Sequence, residues 1–199
     1  MPKTGKVKKG YAISIENVAP FLWYRVGISD KSEVGIRVGL PIYGSGVDYS
    51  RVLYKKKNKW DMLNLAWSLN PNYNLDATYY KFKTKKTDTD FLKSRWLGFR
   101  MMSIQKGITG GTSNRFGFLY GIQSSPRWGM EFGYFHDSSS IPITDIFSSK
   151  WDPFSSENHD RYSKKPTRDE SSGLPSEFSR MTGLSFSLFF DLDAPKKKK

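Results

Sequence analysis

Apolar and polar residues alternate along most of this chain with a period of two, the pattern of strands that keep one face against an apolar environment. The stretch GLSFSLFFDLD shows it plainly, with Leu184, Phe186, Leu188, Phe190 and Leu192 set between Ser185, Ser187, Phe189 and Asp191. The same alternation predicts about ten strands, over 11–17, 20–29, 33–41, 46–55, 60–69, 73–83, 91–102, 115–124, 127–136 and 179–192. Turn-forming clusters separate them, among them Ser29-Asp30-Lys31-Ser32, Lys57-Asn58-Lys59, Asn70-Pro71-Asn72 and Ser124-Ser125-Pro126. Tight connections between sequential strands predict an antiparallel up-and-down meander rather than a βαβ fold. Helical spacing is absent, although 141–178 leaves room for a short helical turn.

The two faces of these strands differ in an unusual way. One gathers bulky apolar residues: Leu22, Tyr24, Val26 and Ile28; Val34, Ile36 and Val38; Leu63, Leu65 and Trp67; Phe116, Phe118 and Tyr120; Trp128, Met130 and Phe132. The other carries Gly27, Gly35, Gly39, Gly98, Gly117, Gly121, Gly129, Gly133 and Gly183, with Arg25, Arg37, Arg100, Glu131 and Asp191 among them. Glycine weakens a strand and serves no purpose on a water-facing sheet. Inside a narrow closed barrel it leaves space for the few large charged side chains that fill the lumen. The bulky face then points outward, which lipid tolerates and water does not. Arg51, Lys93 and Arg95 fall in phase with the bulky face and are expected near a rim. The fold expected is therefore all-β, an antiparallel transmembrane barrel of about ten strands (8–12). The alternative is a soluble barrel or sandwich with the bulky face inside.

Composition agrees with a barrel more readily than with other membrane classes. Aromatic residues make up 16% of a chain whose mean hydropathy is −0.59, too many rings for a disordered polar sequence. No run approaches the roughly 20 apolar residues of a spanning helix, whereas a barrel strand needs only about 9–11, half of them apolar. The opening MPKTGKVKKG lacks the apolar segment of an export signal, so a trimmed or mature form, or a protein that is never exported, is expected. Without cysteine there is no disulfide and no thiolate site. The expected organisation is a basic leader over 1–10, one barrel domain over 11–192 with a long outer loop at 137–178, and a lysine tail over 193–199.

The segment RVGISDKSEVGIRVGLPIYGSGVDYSRVLY and the alternating aromatic final strand resemble small bacterial outer-membrane β-barrel proteins, of the uncharacterised barrel and barrel-like lipoprotein types. The resemblance covers most of the chain and rests on alternation. It implies residence in the bacterial outer membrane with the termini toward the periplasm, and a last strand like the one the barrel-assembly machinery recognises. Here LDAPKKKK stands where that class has a terminal aromatic residue.

The net charge of +13 invites a nucleic-acid reading, since basic, aromatic-rich surfaces stack bases and hold phosphates. Placement argues otherwise. Sixteen of the thirty-two basic residues lie in four lysine clusters: 3–9, 55–59, 81–86 and 196–199. In a ten-strand meander all four fall at the end that holds the termini, forming a ring rather than a groove. The long segment 137–178 at the opposite end has eight acidic and five basic residues. The expected partner is membrane lipid, lipopolysaccharide included, and no specific nucleic acid.

The candidate chemistry is sparse. His136 and His159 lack the spacing of a metal site, so neither metal nor cofactor is expected. The Gly107-Ile108-Thr109-Gly110-Gly111-Thr112 stretch lacks the lysine and helix of a phosphate loop. His136 stands two residues before Ser138, and this spacing resembles lipid A 3-O-deacylases, outer-membrane barrels with a lipid-facing serine hydrolase site. That resemblance implies His136 as base, Ser138 as nucleophile and Asp145 as the nearest acidic partner, with Ser139-Ser140 in place of the usual Asn-Ala. In the lumen Arg25, Arg37, Arg100 and Glu131, with Asp48 and Asp76, are expected to form an ion-pair plug or an anion-selective constriction, the plug suiting a narrow barrel better. Trp23, Trp60, Trp96 and Trp128 lie near strand ends and are expected at the membrane interfaces. The function expected is that of an integral outer-membrane barrel with a structural, adhesive or narrow-channel role and no catalysis. The alternatives are the deacylase-like hydrolase, a soluble barrel that binds an apolar ligand, and a basic nucleic-acid-binding protein.

Overall fold

Ten strands close into one antiparallel barrel in the computed structural model, which describes residues 4–14, 20–39, 45–69, 73–86, 92–104, 113–137 and 183–193. They are β1 (Val7–Ser14), β2 (Phe21–Ser29), β3 (Ser32–Gly39), β4 (Ser45–Lys56), β5 (Lys59–Leu69), β6 (Tyr73–Lys86), β7 (Leu92–Ile104), β8 (Ser113–Gln123), β9 (Trp128–Asp137) and β10 (Gly183–Asp191). Each strand pairs with its neighbours in sequence, and β1 pairs with β10 to close the ring. This is the up-and-down meander that the turn spacing predicts.

Side chains sort by phase. Along β7 the exposed Leu97 (62%), Phe99 and Met101 alternate with Trp96, Gly98 and Arg100. On β8 Phe118 is 65% exposed while its neighbour Leu119 is 2% exposed. The outward belt continues through Leu22, Tyr24, Val34, Ile36, Val47, Leu65, Trp67 and Phe132. Buried polar residues lie inside: Glu33, Asp48, Ser50, Ser68, Asn74, Thr78 and Arg115. The outside is thus apolar, while inside these polar groups share the space with Met62, Trp96, Leu119 and Phe135, the reverse of the polar exterior of a water-soluble barrel.

Two irregularities shape the terminal-side rim. Register shifts interrupt β2–β3 at Gly27/Ser29 and β4–β5 at Val52/Tyr54, each adding local twist. At the β4–β5 hairpin Lys57 takes a left-handed backbone (φ 41°), the conformation that two-residue hairpins use to match strand twist.

The supposed basic leader is corrected by the structure. Residues 7–10 belong to β1, where Lys8, Lys9 and Gly10 pair with Arg25, Tyr24 and Trp23 of β2. Thr4 and Gly5 also reach Gly27, with a Gly5 N–H to Gly27 O bond of 2.8 Å. Lysines masked the alternation there, because Val7, Lys9 and Ile13 are the outward set. The lysine ring holds where it is described: β1, the turn at Lys31, the β4–β5 hairpin and the start of the β6–β7 connection share the end where β10 finishes. The long connection after β9 leaves from the other end; residues 138–182 lie outside the described residues, as do 194–199.

Candidate functional site

The lumen is where charged and aromatic side chains converge. Arg25 on β2 faces Gly35 on β3, which faces Asp48 on β4. A Cβ at Gly35 would collide with the Asp48 carboxylate, so its absence lets the guanidinium reach across a whole strand. Arg25 Nη2 then sits 3.1 Å from Asp48 Oδ2, and Arg25 Nη1 sits 2.9 Å from Glu33 Oε1. Both carboxylate side chains are nearly inaccessible, at 4% and 3%. Asn64 on β5 extends the group, donating from Nδ2 to Asp48 Oδ2 (2.9 Å) and to Ser50 Oγ (2.8 Å).

A second group forms on the other side. Arg100 on β7 donates from Nε to Thr78 Oγ1 (3.0 Å) and from Nη2 to the Tyr80 hydroxyl (3.1 Å). Its Nη2 lies 3.8 Å from Glu131 Oε1 on β9, and its Cζ stands 5.7 Å from the centre of the Phe135 ring. Glu131 in turn accepts a 2.6 Å bond from Trp96 Nε1.

Beneath these, toward the terminal-side mouth, aromatic rings span the lumen. Trp60 stacks on Phe82 (3.8 Å between centroids, 3° between planes). Phe82 leads to Trp96 (5.5 Å), and Trp96 to Phe189 on β10 (5.7 Å). Two intervening strands supply no side chain at this level. A Cβ at Gly121 on β8 would fall on the Trp96 indole, and one at Gly129 on β9 on the Phe189 ring. The glycines therefore clear the space in which rings from β7 and β10 meet.

The structure brings Arg25, Arg100 and Glu131 into these two networks. Arg37 also faces inward, and its Nε and Nη2 are buried without a hydrogen-bond partner among the described residues. Glu33, Asn64, Tyr80 and Phe189 take part although sequence reasoning did not single them out. Glu33 is in phase with Gly35 and Arg37, so its inward direction was readable. The interfacial tryptophans are corrected: Trp23 lies over Gly10 and Trp60 and Trp96 belong to the inner ring system, while Trp128 alone of the four is exposed on the outer side. Strand-end position suggested an interface, but phase decides the face.

At mid-lumen Ser50 and Thr78 are 0% and 1% exposed, so packed side chains surround them there. Among the described residues no cluster of His, Asp and Glu could hold a metal. The backbone of His136 at the end of β9 pairs with Phe116, while Ser138 and Asp145 lie outside the described residues. No protein-family model, curated protein or solved structure matches the chain.

Proposed function

We propose that this chain is an integral β-barrel protein of a bacterial outer membrane, with its termini on the periplasmic side and a lumen closed by its own side chains. The observation that carries the reading is the polarity of the two faces: large apolar groups such as Phe118 and Leu97 are exposed, while the carboxylates of Glu33 and Asp48, paired with Arg25, are buried. In water such an exterior is costly, at about 25 cal/mol for each Å² of apolar surface left uncovered. In lipid the cost disappears, and the closed ring of strands leaves no unpaired edge to satisfy.

Ion pairs and stacked rings that cross the lumen favour a structural or adhesive role over conduction. The long connection after β9, at the end away from the lysines, is the part such a role would present outward. Membership of the small outer-membrane barrel class, suggested by the alternation, fits the same reading. The experiment is membrane fractionation with a carbonate wash, followed by electrophoresis of boiled and unboiled samples. A protein that stays with the membrane and migrates differently unboiled is a closed integral barrel; one that washes into the supernatant refutes the proposal.

A further inference from the structure

Several buried polar groups on β3, β4 and β6 have no hydrogen-bond partner among the described residues: Arg37 Nε and Nη2, Glu33 Oε2, Asp48 Oδ1 and Asn74 Oδ1. Leaving a buried donor or acceptor unmade costs more than a hydrogen bond gains, so each of these calls for a partner. Asp48 is 6% exposed, and its Oδ2 already accepts from Arg25 Nη2 (3.1 Å) and Asn64 Nδ2 (2.9 Å). Its Oδ1 lies over Gly35, where a Cβ would collide with it. The two Arg37 donors share one edge of the planar guanidinium and point the same way. That edge is the fork that takes both oxygens of a carboxylate or phosphate. Arg37 stands two residues beyond Gly35 on the inner side of β3, about 7 Å along the strand, and within electrostatic reach of Asp48 and Asp76.

A cavity of about 880 Å³ lies at the same level, ringed by the inward Gly35, Asp48, Ala66, Asp76, Met102 and Arg115. These six are consecutive partners in register from β3 to β8. Gly35, Ala66 and Met102 come two to four residues before the ends of β3, β5 and β7, so the cavity lies toward the end of the barrel opposite the termini. Its volume is that of a small-molecule pocket.

Charge narrows the kind of occupant. Arg25 and Arg37 stand with Glu33 and Asp48, and Asp76 and Arg115 add one charge of each sign, so this wall is neutral as a whole. A lone anion on the Arg37 fork would leave the buried group with a net charge, which is costly away from water. A molecule carrying both signs keeps the balance. Its oxyanion matches the fork, and its N–H groups match Asp48 Oδ1 and the nearby Asn74 Oδ1. Ala66 and Met102 offer contact to an apolar remainder.

We propose that the lumen at the end opposite the termini is a binding site for an amino-carboxylate zwitterion with an apolar side chain, a free α-amino acid or a short peptide. The carboxylate sits on the Arg37 fork and the ammonium at Asp48. The site goes beyond the structural role above and does not depend on what surrounds the barrel.

The test is calorimetric titration of the full chain folded in detergent micelles. Leucine and leucyl-leucine are the zwitterion probes, while isocaproate lacks the ammonium and isopentylamine lacks the carboxylate. Binding of a zwitterion is expected, the tighter of the two showing whether the source is the free amino acid or the peptide. Each single-charge analogue should bind about tenfold more weakly or worse, the effect of losing one hydrogen bond to a charged group. Arg37→Met removes the fork and should weaken binding by a similar factor, whereas Arg37→Lys keeps the charge without the fork and restores only part of it. In the absence of probe Arg37→Met should unfold in urea no more readily than wild type, since those two nitrogens hold no partner among the described residues. The analogue comparison needs no variant and decides the case even where a variant fails to fold. No binding of either zwitterion, equal binding of isocaproate, or unchanged affinity in folded Arg37→Met overturns the site. Tighter binding of phosphoethanolamine than of both zwitterion probes overturns the amino-carboxylate assignment. Carbonate washing tests the membrane reading separately, and a chain released from the membrane with its leucine binding intact leaves this site standing.

Discussion

Replacing Gly121 by alanine puts the role of the lumen glycines to a quantitative test. The added Cβ would occupy the position of the Trp96 indole, so the ring has to leave its place. Displacement breaks the Trp96 Nε1–Glu131 bond of 2.6 Å. A hydrogen bond to a charged group contributes about 1.5–3 kcal/mol. It also separates Trp96 from Phe82 and from Phe189, two ring pairs at 5.5 and 5.7 Å. Each such pair adds about 0.5–1.5 kcal/mol beyond its buried area. Gly121→Ala is therefore expected to destabilise the barrel by about 2.5–6 kcal/mol, against a gain of under about 1 kcal/mol from replacing a strand glycine. The assay is urea unfolding of the micelle-solubilised protein, monitored by loss of the fast-migrating unboiled form. Trp96→Ala and the double variant complete a cycle, in which the alanine at 121 should cost little once the indole is gone. A Gly121→Ala protein as stable as wild type refutes the reasoning, as does a penalty that survives undiminished in the Trp96→Ala background.

Further outcomes follow from the ion pairs, the belt and the loop. Arg25→Ala leaves Glu33 and Asp48 as buried carboxylates without their cation, and unfolding midpoints should report a loss of about 3–5 kcal/mol. Recovery of most of that loss is expected when Glu33→Gln and Asp48→Asn are added to it. Phe118→Arg places a charge on the exposed belt and should cost about 2–4 kcal/mol for a barrel folded into vesicles; no cost, or improved solubility without detergent, would point to a water-soluble barrel. Lipid A incubated with the purified protein should keep its 3-O-acyl chain, and Ser138→Ala should change nothing; release that vanishes in Ser138→Ala would restore the hydrolase reading.

Much of this fold is legible because a two-residue period survives almost any local noise. Shifting the phase of β7 by one would put Trp96, Gly98 and Arg100 outside, and the sequence of alternating small and large residues forbids it. Phase also placed Arg25, Arg37, Arg100 and Glu131 on the inner side. The first strand was harder, since Lys8 and Lys9 hide the alternation of Val7, Tyr11 and Ile13. Trp23, Trp60 and Trp96 were misplaced when nearness to a strand end outweighed phase: each alternates with outward residues and belongs with the glycine face. What a sequence does not carry is which inner side chains meet across the lumen. The Trp96–Phe189 contact joins residues from strands with two others between them and depends on closure, tilt and the two vacant glycine positions together.

The β1–β10 seam sets a clock on biosynthesis. It pairs Gly10–Ser14 with Ser187–Asp191, stacks Tyr11 on Phe190 at 4.5 Å, and is tied at its end by Lys9 N–H to Asp193 Oδ2 (2.7 Å). No other pairing in the barrel joins residues so far apart in the chain. Bringing together ends some 180 residues apart costs about 5 kcal/mol of loop-closure entropy on the logarithmic scaling. Until β10 has left the ribosome, β1 has no partner on that side and exposes a bare strand edge, an invitation to other strands. The ring of strands thus stays open until β10 reaches β1, and every earlier pairing can form before the closing one.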